Sequence, residues 1–230
     1  MVLDKIQRPN DVKELKEQEL PVLADEIRQF IIDKVSDNGG HLASNLGVVE
    51  LTIALHRCLN FPQDKLILDV GHQSYTHKIL TGRKNGFDSL RKYHGMSGFP
   101  KRDESNCDAF DTGHSSTSLS AGLGMVCARE LKKEKYKVVS VIGDGSLTGG
   151  LAFEALNNAA SLKSNYIMIL NDNHMSISEN VGGLSHYLAG VRTAKGYTNF
   201  KKNVKASLSK MNAIGEELER NIRRAKSMLK

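Results

Sequence analysis

The chain has 230 residues, 40% of them hydrophobic and 25% charged, which is enough to bury one good core and excludes a collagenous, low-complexity or membrane-spanning composition. Its three cysteines, at 58, 107 and 127, are odd in number and without a Cys-x-x-Cys spacing, which excludes a disulfide framework or a zinc site. The formal charge of +6 is all held by residues 201–230, with nine Lys/Arg against three Glu; no Trp and no nucleic-acid motif accompany it, so it describes one helix surface and argues against nucleic-acid binding.

In chain order, a polar start over residues 1–20 is followed by Pro21, placed where the first turn of a helix accepts it. Leu23, Ile27, Phe30, Ile31 and Val35 follow at helical spacing, and Asn38-Gly39-Gly40 ends that helix. His41 opens a loop leading to a second amphipathic helix with Val48, Leu51, Leu55 and Leu59, and residues 66–70 form a short strand running into Gly71-His72. Residues 84–111 are rich in Gly, Asp, Lys and Ser and read as a long, mobile surface loop. Thr112-Gly113-His114 precedes a helix with Leu119, Leu123, Val126 and Leu131, so the amides of 115–117 should lie at a helix N-terminus, where anions are welcome. Cys58 and Cys127 fall on apolar helical faces and read as core fillers.

Residues 137–142 and 166–170 are apolar runs of strand length, each of which reads as buried on two faces. Between them Ala152, Ala155, Leu156, Ala159 and Ala160 recur at helical spacing, with Thr148 as N-cap. This is a βαβ unit. Beyond a second loop over 184–200, Val204, Leu208, Met211, Ile214, Leu218, Ile222, Ala225 and Leu229 form one apolar stripe on a basic final helix. No apolar run reaches transmembrane length and Met1 to Asn10 carry no signal-peptide pattern, so no membrane partner and a cytoplasmic home are expected.

The chemistry concentrates at strand ends. A right-handed crossover puts both strand tips of the βαβ unit at one edge, and ligands of open α/β sheets collect there. Gly143-Asp144-Gly145 and Asn171-Asp172-Asn173 should therefore face a common crevice, although 29 positions separate Asp144 from Asn173. One carboxylate and one amide oxygen, with a backbone carbonyl, make a hard, incomplete oxygen shell suited to Mg²⁺ or Ca²⁺ when phosphates and water complete it. Gly145 lets backbone amides approach an anion, and Ser146 adds a hydroxyl. Each segment alone is an ordinary turn; the pair at this spacing is what points to a site. His41, His72 and His114 add to it, because each lies beside a glycine or at an element end.

These segments resemble the two halves of the thiamine-diphosphate motif of transketolase-like enzymes. Within that superfamily the runs His41-Leu42-Ala43-Ser44-Asn45-Leu46-Gly47, Asp69-Val70-Gly71-His72-Gln73-Ser74-Tyr75-Thr76-His77 and Gly113-His114-Ser115-Ser116-Thr117-Ser118 most resemble the 1-deoxy-D-xylulose-5-phosphate synthase family. His174 departs from the pattern at a position where the family has an acidic residue, between ligands. The resemblance implies thiamine diphosphate and Mg²⁺ as cofactors, with Asp144, Asn173 and the Met175 carbonyl on the metal and Gly145 and Ser146 on the diphosphate. It places His72, Gly113, His114, Ser115 and Asn173 against the cofactor. His41 and His114 would serve as proton-transfer or substrate-orienting groups, and His77, in a short helix, as a structural residue.

The implied reaction decarboxylates pyruvate and joins the remaining two-carbon unit to D-glyceraldehyde 3-phosphate, giving a precursor for isoprenoid and thiamine synthesis. Transketolase itself and a non-catalytic cofactor-binding module are the alternatives. The expected fold class is α/β, a parallel sheet flanked by helices, possibly incomplete. Residues 1–20 would form an N-terminal segment, 21–200 the diphosphate-binding domain and 201–230 the basic helix. The family's pyrimidine-binding and C-terminal domains have no counterpart in this chain and the last helix has no stop signal. We therefore expect a fragment or half of a split enzyme, inactive alone, whose partner domain joins it in cis or trans in a homodimer.

Overall fold

The computed structural model describes residues 1–172 and Gly190. The final-helix stripe, the 184–200 loop, His174, Asn173 and Met175 lie outside the described residues. The chain divides into two units, Met1–Ser178 and Glu179–Lys230, and every described element belongs to the first.

Three strands, β1 (Lys65–Leu68), β2 (Val138–Gly143) and β3 (Ile167–Asn171), form a parallel sheet in the order β1-β2-β3. Side chains alternate across it as the pleat requires. Leu66, Leu68, Val139 and Val141 face one way and pack with Leu59, Phe61 and Cys107. Ile67 and Val138 face the other way, against Val126 of α5 (Ser118–Lys132). Burial on both faces is why β2 is β-branched except at Ser140, whose hydroxyl donates to the Ser118 carbonyl at 3.0 Å, and at its last residue, Gly143. The α/β expectation, a parallel sheet flanked by helices, is met.

A second core lies beside the sheet. Pro21 enters α1 (Leu20–Asn38) in its first turn, and Leu23, Ile27, Ile31 and Val35 are buried along one face as their spacing predicts. Gly39, at φ 73°, ends the helix with its amide on the Val35 carbonyl. The start of the chain is less polar than it reads: Leu3, Ile6, Val12 and Leu15 are buried in the same cluster, and Arg57 Nη1 donates to the carbonyls of Val12, Lys13 and Leu15. The helices between this core and the sheet are α2 (Leu42–Leu46), α3 (Val49–Cys58) and α4 (Tyr75–Lys78), with α6 (Gly150–Leu162) linking β2 to β3.

Several expectations need correction. The segment 84–111 is not a mobile loop: it begins with a 3₁₀ turn, Lys84–Ser89, and is anchored by the buried Phe87, Leu90, Cys107 and Asp108. Its polar composition hid these few anchors. The expected residues of helix α3 are inward, Val48 and Leu59 buried and Leu51 and Leu55 packed on the sheet-side core, but the helix also buries a second face, Val49, Thr52, Ile53 and His56, and ends before Leu59. Cys58, the last residue of α3, is exposed instead of filling the core, and Leu131 at the end of α5 is exposed as well. Strand β3 is not buried on two faces; Ile167, Met168 and Leu170 are exposed, because β3 is the edge of the three described strands. Thr148 is not the N-cap of α6, a place taken by Gly149; its hydroxyl donates instead to the Gly145 carbonyl at 2.7 Å.

Candidate functional site

Strand register decides which residues can meet at the sheet's C-terminal edge. Gly143, the last residue of β2, pairs with Asn171, the last of β3, so the chain leaves both strands side by side. Asp144 follows immediately and is 93% buried, being only 7% exposed. Asp172 occupies the matching position beyond β3, and the two strand ends converge as the crossover argument predicts. The side chain of Asn173 and the Met175 carbonyl lie outside the described residues. Gly145 has ordinary helical angles and leads into a 3₁₀ turn, Ser146–Thr148, with Ser146 half-buried at its start.

The histidines come from three different segments and converge on one another. The His41 and His72 rings meet edge to face at 5.4 Å, His72 and His114 stack at 6.1 Å, and Phe99 lies 5.9 Å from both His41 and His114. His41 opens the short helix α2 where a loop was expected, and His114 with Ser115 is exposed on the segment before α5. That helix starts at Ser118, later than expected. The Ser118 amide is already claimed by Asp69 Oδ2 at 3.0 Å, and the Ser115 amide by the Gly113 carbonyl at 2.8 Å, so fewer amides of this terminus are offered to an anion than the sequence suggested. Gly113 opens onto free space, with no atom of the described chain within 4 Å of where its Cβ would stand.

The two halves of the site adjoin. A Cβ on Gly149, just beyond the Asp144 turn, would press on the Ser116 side chain, and the Ser120 hydroxyl donates to the Leu151 carbonyl at 3.3 Å. Asp69, past the end of β1, still donates its amide to Val141 of β2. Thus the segments carrying His72, His114 and Asp144 share the sheet's C-terminal edge.

Burial sets the charge state of the imidazoles. Desolvation, reinforced by repulsion from His41 and His114, pushes His72 down to about 4 from an ordinary value near 6.5. His41 is lowered too, first by desolvation and then by Arg91 and His114. Both rings are neutral at pH 7. The Nδ1 atoms of His41 and His72 are buried without a hydrogen-bond partner among the described residues. Although three imidazoles converge, among the described residues no group of three or more His, Cys, Asp or Glu is arranged to hold a metal ion.

Two residues that organise this cluster carried no role in the sequence reading. Asn45 is fully buried; its Nδ2 donates to the carbonyls of His41, at 2.6 Å, and His72, at 2.8 Å, and its Oδ1 accepts the Tyr75 amide. Tyr75 in turn accepts the His41 amide on its hydroxyl at 3.4 Å. No periodicity marks Asn45, a polar residue near the end of a five-residue helix, so its role is visible only in three dimensions.

The residues present fit a thiamine diphosphate and a divalent cation. Asp144 is a hard oxygen donor at a strand tip, the orphaned Nδ1 atoms need partners that the described chain does not supply, and the space above Gly113 admits a ligand.

Comparison with known proteins gives the same direction. The family described as 1-deoxy-D-xylulose-5-phosphate synthase matches residues 3–230. Proteins of that name from Lachnoclostridium phytofermentans and Clostridium beijerinckii are 60% and 58% identical over 229 residues, and 1-deoxy-D-xylulose-5-phosphate synthase 1 of Geobacter sulfurreducens is 57% identical. Each match covers 100% of this chain but only 36–37% of the relative, so the chain spans little more than a third of their length.

Proposed function

Because the chain belongs to the 1-deoxy-D-xylulose-5-phosphate synthase family, we propose that it forms the diphosphate- and metal-facing part of a thiamine-diphosphate-dependent transferase. The observation that supports this reading best is the pairing of Gly143 with Asn171, which delivers Asp144 and Asp172 to one edge beside three converging histidines. The family match favours this enzyme over transketolase and over a binding module without turnover.

In this reading Asp144 holds Mg²⁺ with Asn173 and the Met175 carbonyl, and Gly145 and Ser146 receive the diphosphate. His72, Gly113, His114 and Ser115 border the cofactor. Bound thiamine diphosphate supplies an electron sink for the decarboxylation of a 2-oxo acid. The chain's own work is placement, exclusion of water and proton traffic. His41, neutral at pH 7 because burial disfavours its cation, is suited to accept a proton or orient a substrate hydroxyl, and His114, stacked on His72, shares that role. Pyruvate and D-glyceraldehyde 3-phosphate are the substrates. Turnover, a homodimeric assembly and a cytoplasmic setting belong to the longer protein, whose remaining two-thirds supplies the pyrimidine-binding part. Among the described residues no helix is long and apolar enough to cross a membrane.

Calorimetry with thiamine diphosphate and Mg²⁺ tests the assignment. Asp144→Ala should weaken Mg²⁺-dependent binding at least as much as the roughly 10–100-fold that loss of an outer-shell partner costs a metal site. Equal binding by wild type and Asp144→Ala would contradict it.

A further inference from the structure

Outside the histidine cluster, the molecule buries a chain of titratable groups to which the proposed reaction assigns no role. His56 Nε2 lies 2.9 Å from His77 Nδ1, and His77 Nε2 lies 3.1 Å from Asp108 Oδ1; all three side chains are buried. Arg83 grips Asp108 with both terminal nitrogens, at 2.8 and 2.7 Å, and the Lys101 amide adds a bond at 2.8 Å. The fully buried Lys78 pairs with Glu104 alongside, so two cations and two carboxylates balance. Hydrogen-bond logic fixes the protons. A carboxylate only accepts, so His77 Nε2 carries a hydrogen; neutral His77 then accepts at Nδ1 from His56 Nε2, which leaves His56 Nδ1 bare, as its lack of a partner among the described residues shows.

This chain stands at one end of a closed frame. His77 lies five residues after His72, and Asp108 six residues before His114. At the other ends of the same two segments, Asp69, three residues before His72, accepts the Ser118 amide, four residues after His114. The segments 69–77 and 108–118 therefore run past each other with one bond at each end, Asp69 to Ser118 and Asp108 to His77, and the stacked His72 and His114 rings sit between them. The first end is secured by the sheet, because the Asp69 amide still donates to β2. The second rests on Asp108.

We propose that Asp108, acting through His77, is a positioning residue that fixes the spacing of His72 and His114. The role rests on the thiamine-diphosphate reading of those histidines, but its geometric part can be read without cofactor. Asp108→Asn keeps the shape but leaves one accepting oxygen: turned to Arg83 Nη1 and the Lys101 amide, it sets the new NH2 against His77, which then accepts at Nε2 and reverses the tautomers of His77 and His56; turned to His77, it sets the NH2 against the Lys101 amide and Arg83 and breaks the anchor on that side. The test uses the 230-residue chain, with imidazole nitrogen resonances recorded on ligand-free protein and thiamine diphosphate plus Mg²⁺ affinity measured by calorimetry. Asp108→Asn and His77→Leu should shift the His72 and His114 signals and weaken binding roughly tenfold, the lower end of what an outer-shell loss costs. His77→Gln, which keeps a donor toward Asp108, should restore both. Wild-type His72 and His114 signals in a folded Asp108→Asn chain would overturn the proposal; if that variant does not fold, identical signals from His77→Leu and His77→Gln would overturn it equally. Wild type that shows no cofactor binding, with the imidazole shifts still present in the variants, would refute the cofactor reading and leave the positioning intact.

Discussion

Asn45 shows how much a single buried amide decides. Its side chain satisfies two carbonyls and one amide from the segments that carry His41, His72 and Tyr75. Truncation strands three buried backbone groups, each worth about 1–3 kcal/mol when unsatisfied and partly relieved by relaxation. Asn45→Ala should therefore lower unfolding free energy by about 2–4 kcal/mol in urea titrations, and a loss within 0.5 kcal/mol would show that the bridge is dispensable. The imidazoles make a second residue-scale prediction. Folding holds His72 near 4, and lowers His41, His56 and His77 as well, so between the ordinary value of 6.5 and the folded values the unfolded chain binds more protons. Stability must then rise with pH across that window: full above about 6.5, and lost as pH falls toward 4. Urea midpoints measured from pH 8 to 4 should fall in that interval, and His72→Gln should flatten the fall.

At the scale of elements, the site depends on how β1 ends. Val70 takes φ 60° and Gly71 φ 84°, a left-handed pair in which the β-branched Val70 is strained. The turn aims His72 across the sheet edge. A Cβ on Gly71 would overlap the Thr112 hydroxyl and the Pro100 ring, so the segment before His114 packs where only glycine fits. Gly71→Ala should cost more than about 2 kcal/mol, since it combines positive-φ strain with overlap, and thermal melts would record it as a fall of several degrees. The elements most legible in the sequence were those whose side chains repeat: α1 by its apolar spacing, β2 by its β-branched run. What escaped were features without periodicity. The 84–111 segment is held by a few scattered buried side chains, and α3 buries a second face at His56 because that histidine has partners in His77 and the Phe61 ring, stacked at 4.3 Å.

For the molecule as a whole, topology carried the site. The parallel pairing of β2 with β3 was legible because one helix joins two strands, and the common edge followed from crossover handedness. The ring of bonds around His72 and His114 was not legible, since it joins Asp69 to Ser118 and His77 to Asp108 across long stretches of chain. The central claim is that Asp144 and the strand tip beside it hold a metal diphosphate next to the three histidines. Mn²⁺ with thiamine diphosphate, used as a paramagnetic probe on the isotope-labelled chain, tests it most directly. The account predicts selective broadening of the amide signals of Asp144 to Ser146 and of the His72 and His114 segments, abolished in Asp144→Ala, with the start of α1 unaffected. Broadening centred elsewhere, or persisting unchanged in Asp144→Ala, would contradict it.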